Sequence, residues 1–349
     1  PGYEQWHQMG LYQRDLTSFN EETIIDNRQT AFNCMNCHSF RMQSPDEMLF
    51  HMRADFGGTY VWTDGKLEKL DGKVSESIQS LVYPYWHPSG DYVAFSTNKT
   101  NQMFHMKDKN RIEVFDSASD VLVYDVKNHR VLTDSLLFSK GAFETFPSFS
   151  PDGKTLYFST SMAQQMPKDY KSVKYSLCSI SFDAQQGRFG NQVDTLYSAE
   201  KTGKTAAFPR VSPDGRFLAF AQADYGNFLI WHKEADLYLI DLKDGQVKEL
   251  PEVNSVEAES YHAWSSNGRW LVFASRRDDG LYSRPYIAYI DENGKGHKPF
   301  VVPQHTPDFY QNSLTSYNVP EFIKEPVTID KKVIVETARE GQALKVAAP

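Results

Sequence analysis

Cys34, Cys37 and His38 stand in the order C-x-x-C-H within Asn33-Cys34-Met35-Asn36-Cys37-His38. These residue types at this spacing can hold a c-type haem. Each thiol adds across one vinyl group, and the adjoining imidazole ligates the iron as proximal ligand. The same pair serves other chemistries. A redox dithiol normally opens a helix in a βαβ setting, and no such setting is visible here. A zinc site asks for a second ligand pair of fixed spacing, and the third cysteine, Cys178, stands alone. A disulfide clip in an oxidising compartment is a further alternative. The expectation carried forward is haem c with its iron, absent from material made in the cytoplasm, where Cys34 and Cys37 would be free or disulfide-bonded.

Repeats must position these residues. Tyr83-Pro84-Tyr85-Trp86-His87-Pro88-Ser89-Gly90 precedes an apolar strand, as do Phe146-Pro147-Ser148-Phe149-Ser150-Pro151-Asp152-Gly153, Phe208-Pro209-Arg210-Val211-Ser212-Pro213-Asp214-Gly215 and Tyr261-His262-Ala263-Trp264-Ser265-Ser266-Asn267-Gly268. Each reads as strand, tight turn, strand. A second hairpin follows, as in Val121–Val126 and Leu237–Leu242. Four strands with a period of about 50–60 residues make a propeller blade.

The regular blades are expected at 83–133, 146–197, 208–250 and 261–302. A degenerate blade at 31–72 carries the cysteines. Residues 317–337 are expected to supply the inner strands of a last blade, and 1–30, through Leu11–Leu16, its outer strands. The N-terminus then closes the ring and removes the exposed edges. Residues 338–349 read as a partly disordered tail. The fold class expected is all-β, a six-bladed β-propeller in one domain.

Composition agrees. Among 349 residues are 19 Tyr and 23 Phe, which suits β-structure. The formal net charge of −8 comes without a basic cluster and argues against nucleic acid as a partner. No apolar run approaches the length of a membrane span.

The Tyr/Phe-Pro-x-aromatic-Ser-Pro-Asp-Gly repeats resemble the PD40 repeats of TolB-like six-bladed propellers over nearly the whole chain. Asn36–Phe40, Met48–His51 and Ser260–Asn267 resemble a bacterial envelope subgroup that carries C-x-x-C-H. The resemblance implies an exported protein of the periplasm or outer membrane. It also implies a further domain before Pro1, a candidate place for a lipid anchor, and a monomer that meets a redox or envelope protein partner.

Blade geometry puts the start of each innermost strand and the loop between strands two and three on one face, and the Pro-Asp-Gly turns on the other. A haem on Cys34 and Cys37 would then cover the mouth of the channel. His38 takes the place held by Pro84, Pro147 and Pro209, and His262 takes it in one other blade, so both are expected to face the axis. The sixth-ligand candidates, in order, are His262, His105, His51 and Met103. His105 and Met103 lie in the long loop from Lys99 to Ser119, and His51 ends a strand of the cysteine blade. His87 falls on the opposite face. Arg276 and Arg277 are candidates for a haem propionate, because guanidinium grips carboxylate in a fork. Cys178 reads as a small buried hydrophobe.

Two functions follow. One is a haem-bearing propeller for electron transfer or redox sensing. The alternative is a protein- or ligand-binding propeller scaffold with no redox role. A hydrolase is disfavoured, since no G-x-S-x-G or H-E-x-x-H occurs, so the expectation is an electron carrier or binding protein rather than an enzyme.

Overall fold

The computed structural model describes residues 8–349. β1 (Gly10–Gln13) and β2 (Glu22–Asp26) form a two-stranded antiparallel sheet. Blade one contains β3 (Met35–Phe40), β4 (Met48–Met52), β5 (Gly58–Thr63) and β6 (Lys66–Asp71). Blade two contains β7 (Val82–Trp86), β8 (Tyr92–Phe104), β9 (Ile112–Asp125) and β10 (Arg130–Leu132). Blade three contains β11 (Ala142–Phe149), β12 (Thr155–Met162), β13 (Ser176–Asp183) and β14 (Arg188–Tyr197). Blade four contains β15 (Thr205–Val211), β16 (Phe217–Ala223), β17 (Asp236–Asp241) and β18 (Val247–Glu249). Blade five contains β19 (Glu259–Trp264), β20 (Trp270–Ser275), β21 (Arg284–Tyr289) and β22 (Phe300–Val301). The blade order follows the repeats.

One local device recurs in every innermost strand. The register shifts between Asn36 and Ser39, Val82 and Tyr85, Thr145 and Ser148, Ala207 and Arg210, and Ser260 and Ala263. Inside each break one residue is left-handed: Cys37 (φ 53°), Tyr83 (51°), Phe146 (52°), Phe208 (59°) and Tyr261 (51°). These are β-bulges, which re-aim side chains by adding one residue to the strand. Val319 repeats the device at φ 49°. A β-branched residue avoids that conformation unless the fold imposes it, so Val319-Pro320-Glu321 occupies the inner-strand position of the sixth unit.

That sixth unit departs from expectation. Residues 317–337 contain no strand, and Lys331–Glu340 is a helix. Pro320 and Pro326 remove donors a strand would need. The Asp330 carboxylate caps the helix by accepting from the Lys332 N–H at 2.9 Å. Ile334 and Ala338, one turn apart, are buried with Leu11, Ile25, Phe50 and Tyr60. The tail is also ordered against the body: Leu344–Lys345 runs parallel to β6, and the Val131 N–H donates to the Ala347 carbonyl at 3.0 Å.

The chain ends still meet. Gln13 bonds Val327 twice, donating to its carbonyl at 3.1 Å and accepting from its N–H at 2.7 Å. On the other side, Tyr317 N–H donates to Ser283 of blade five at 2.9 Å. Between blades the inner-strand tryptophans reach backwards: Trp86 Nε1 donates to the Ser39 carbonyl at 3.2 Å, and Trp264 Nε1 to the Arg210 carbonyl at 3.0 Å.

The stretch from Lys99 to Ser119, expected as a loop, is instead the continuation of β8 and β9. This 13- and 14-residue pair extends beyond its blade as an arm.

Candidate functional site

The bulges stack two layers around the axis. The outer layer holds the left-handed residues. Ring centroids run 4.8 Å from Tyr83 to Phe146, 3.9 Å from Phe146 to Phe208 and 4.9 Å from Phe208 to Tyr261. Phe228 lies against Tyr83 and Phe146 at 5.8 and 5.6 Å. Cys37 and Val319 complete this layer. The next layer, two residues on in each strand, holds Tyr85, Arg210 and Glu321, with the small residues Ser39, Ser148 and Ala263 in the intervening blades. The Arg210 guanidinium lies 5.0 Å from the Tyr85 ring centroid. Blade three separates their blades, so this contact reaches past blade three at the hub.

Cys37 joins the left-handed residues of the other inner strands. Cys37 faces the hydroxyls of Tyr83 and Tyr261, and burial pushes its thiol up against the pull of Arg53. His38, the next residue along the strand, is directed toward the sixth unit. Its Nε2 is 3.7 Å from Glu321 Oε2, and its ring meets Phe40 edge-on. Burial holds His38 down at about 4 and pushes Glu321 up to about 8. Cys34 is half-buried, its thiol accepting weakly from Asn36 Nδ2 at 3.9 Å. A haem on both thioethers with iron on His38 needs the three side chains to converge on one slot. Cys37 lies beside the rings of Tyr83 and Tyr261, and His38 beside Glu321. Among the described residues no three His, Cys, Asp or Glu side chains group around a metal position.

The sixth-ligand candidates are scattered. His262 does not face the axis: it is buried at 3% exposure in the seam toward blade four, near Arg210 and the carbonyls of Phe208 and Ala219. The cause is strand alternation, which sends His262 and Trp264 to the same side. His105 stacks on Tyr170 at 5.9 Å. His51 is buried within blade one, its Nδ1 3.3 Å from Thr59 Oγ1. Met103 is half-buried on the arm. Arg277 is engaged by Glu259 at 3.0 Å, the Val253 carbonyl at 2.6 Å and the Tyr286 ring. Arg276 lies over Trp231 and donates to the Leu281 carbonyl at 2.8 Å. His87 is structural, with Nε2 3.0 Å from the Gly153 carbonyl. Cys178 is buried in β13.

The feature that the repeat pattern did not reveal is how the arm is fixed. Glu113, 1% exposed, accepts from Tyr225 Oη at 2.9 Å and meets His232 Nε2 at 3.0 Å. Asp116 accepts from Asn98 at 2.8 Å, Thr100 at 2.7 Å and Asn227 at 2.6 Å. Tyr225, Asn227 and His232 all belong to the loop after β16, so the arm of blade two is bolted to blade four. Lys109 adds contacts to Asp224 at 3.4 Å and Glu234 at 3.1 Å. Around the tip, Phe104, Met106 and Met162 are 69%, 89% and 72% exposed. The only sequence signal was the unusual distance between the two strands.

No family model and no curated protein matches the chain. Among solved structures it is similar to a putative TolB from Agrobacterium tumefaciens, with TM-score 0.55 and 15% identity over 84% of this chain and 90% of that one. It is also similar to TolB from Acinetobacter baumannii, with TM-score 0.47 and 14% identity over 84% and 66%. A puromycin-hydrolyzing peptidase of Mycobacterium tuberculosis gives TM-score 0.47 and 15% identity over 85% of this chain and 42% of the peptidase. The first likeness establishes the fold as a TolB-like β-propeller.

Proposed function

We propose that this chain is a binding scaffold of the bacterial envelope that receives a protein partner on the face crossed by the arm. The observation that carries this reading is the arm itself. Its base is held by buried polar contacts, while Phe104 and Met106 stand exposed near its tip. Exposed apolar side chains on a rigid mount suit protein contact, and methionine adapts to varied surfaces. Location in the periplasm or at the outer membrane belongs to the same proposal, supported by the TolB-like fold.

The test is affinity capture from the envelope fraction of the native host, with three forms of the protein. The parent and Cys34→Ala/Cys37→Ala should retain the same partner, and Phe104→Ser/Met106→Ser should lose it. Loss with the cysteine variant and retention with the arm variant would reverse the assignment.

In this reading Cys37 fills the hub layer instead of tethering a porphyrin. Intact mass and absorption of protein isolated from its own host should give the unmodified chain without a Soret band. An added mass of one haem would overturn the reading and restore the electron-transfer alternative.

A further inference from the structure

The sixth unit is an unfinished blade. Blades two to five each contain four hydrogen-bonded strands, whereas β1 and β2 pair only with each other. The edge of β2 away from β1 therefore carries peptide groups with no strand beside them. Thr328 and Ile329 lie where a second strand of this blade would run, and neither makes a hydrogen bond among the described residues. Backbone N–H and C=O groups left unpaired at an edge are a template for another strand.

A cavity of about 370 Å³ lies between these two edges, lined by residues 22–24 of β2 on one side and 327–329 on the other, with Gln13 and Lys331. Side chains alternate along an extended chain, so three consecutive residues line one cavity where the backbone edge itself faces it. Gln13 shows what the space accepts. Its side-chain amide donates to the Val327 carbonyl at 3.1 Å and accepts from the Val327 N–H at 2.7 Å. That is the pair of bonds a residue of a neighbouring antiparallel strand would make. The groove is open at its rim, since Glu22, Thr328 and Lys331 are exposed. Its two ends differ in charge. Gln13 is in register with Glu22 and bonds Val327, so Glu22 and Val327 share one end. Lys331 stands four residues further on, at the other.

We propose that this groove binds an extended segment of a partner protein, which adds as a strand between β2 and residues 327–329. Main-chain bonds to the two edges supply the affinity. Three residues on each side set a paired length of about 10 Å at 3.3 Å per residue. Charge selects the ends. A segment with a basic residue beside Glu22 and an acidic residue beside Lys331 complements the groove, because opposite charges on neighbouring strands stabilise the pairing and like charges weaken it. Between the ends, the buried Ile24, Val327 and Ile329 favour small apolar residues. The groove shares no residue with the arm, so it is a second docking place beyond the one proposed above.

Calorimetric titration of the full chain at low ionic strength tests this with peptides blocked at both ends: KVTVE, KVTVE methylated on its valine amide nitrogens, KVTVK and EVTVE. KVTVE should bind at least tenfold more tightly than its methylated form, which keeps the side chains and loses strand donors. It should also bind severalfold more tightly than KVTVK or EVTVE. Thr328→Pro removes one edge N–H at an exposed position and should weaken KVTVE severalfold. Lys331→Glu should turn the preference to KVTVK, and Glu22→Lys to EVTVE; either folded variant suffices, and a merely structural role would leave the preference as it was. Phe104→Ser/Met106→Ser should bind KVTVE as the parent does. No binding of any peptide, equal binding of the methylated form, an unchanged preference in a folded charge variant, or loss of KVTVE in the arm variant would each overturn the proposal. So would light scattering that shows a dimer which KVTVE dissociates, because the occupant would then be a second copy of this chain.

Discussion

Replacing Glu113 by alanine should release the arm while leaving the blades folded. Glu113 is the shared acceptor for Tyr225 Oη at 2.9 Å and His232 Nε2 at 3.0 Å. Its removal leaves two buried donors without a partner, since His232 is fully buried. Each such group costs about 1–3 kcal/mol, so the arm should lose about 2–6 kcal/mol. The lower bound alone raises the opening equilibrium about 30-fold, because 1.4 kcal/mol is tenfold. The loss should appear locally, since an arm outside the blades can open without global unfolding. The assay is native-state trypsin digestion followed by intact mass. Lys107, Lys109 and Arg111 at the tip are the cleavage sites. Under conditions where opening is fast relative to cleavage, the rate follows the open population. Glu113→Gln keeps one acceptor and should fall between parent and alanine. Cleavage of the alanine variant within twofold of the parent would refute the reasoning, as would an altered urea midpoint with no change at the tip.

Other outcomes follow from the same packing. Phe146→Ala removes a ring 1% exposed that touches Tyr83, Phe208 and Phe228, and should lower stability by about 3–5 kcal/mol in denaturant unfolding. Burial pushes the Glu144 carboxyl up to about 8, with Asp120 adding to it. A raised carboxyl favours the folded state fully below its unfolded value, and this contribution disappears as pH rises through 8. Glu144→Gln should therefore flatten the fall in stability between pH 5 and 8 by about 2–4 kcal/mol; an identical pH profile in both proteins would exclude this role. Gln13→Ala breaks both bonds to Val327 and should lower stability by about 1–3 kcal/mol, with faster hydrogen exchange in Gly10–Asp26; unchanged exchange there would mean that apolar packing alone closes the ring. Gly153→Ala should be destabilising in thermal melts, because Gly153 is left-handed at φ 73° and a Cβ there would lie 2.2 Å from His87 Nε2; an unchanged melting temperature would show that the turn relaxes freely.

Parts of this fold were legible because they rest on local chemistry. The Phe-Pro-x-Phe-Ser-Pro-Asp-Gly repeats encode a bulged strand and a tight turn within a few residues, so the four regular blades follow from the residues alone. The sixth unit was half legible. Val319-Pro320-Glu321 keeps the bulge of Cys37-His38-Ser39, but the helix at Lys331–Glu340 replaced the expected strand. Val333-Ile334-Val335 has strand character by composition. The Asp330 cap and the pairing of Ile334 with Ala338 on one helical face decided otherwise. The arm was not legible, because Glu113 meets Tyr225 and His232 from more than a hundred residues away.

Sequence by itself fixed the period, the turns and the presence of three potential haem-binding residues, since spacing and residue type are properties of the chain. Only tertiary structure decided where those residues point. A bulge adds one residue to a strand, and that single residue turned Cys37 into the aromatic layer and His38 toward Glu321. The partners of Cys37 and His38, Tyr83, Tyr261 and Glu321, come from other blades, so spacing along the chain could not supply them.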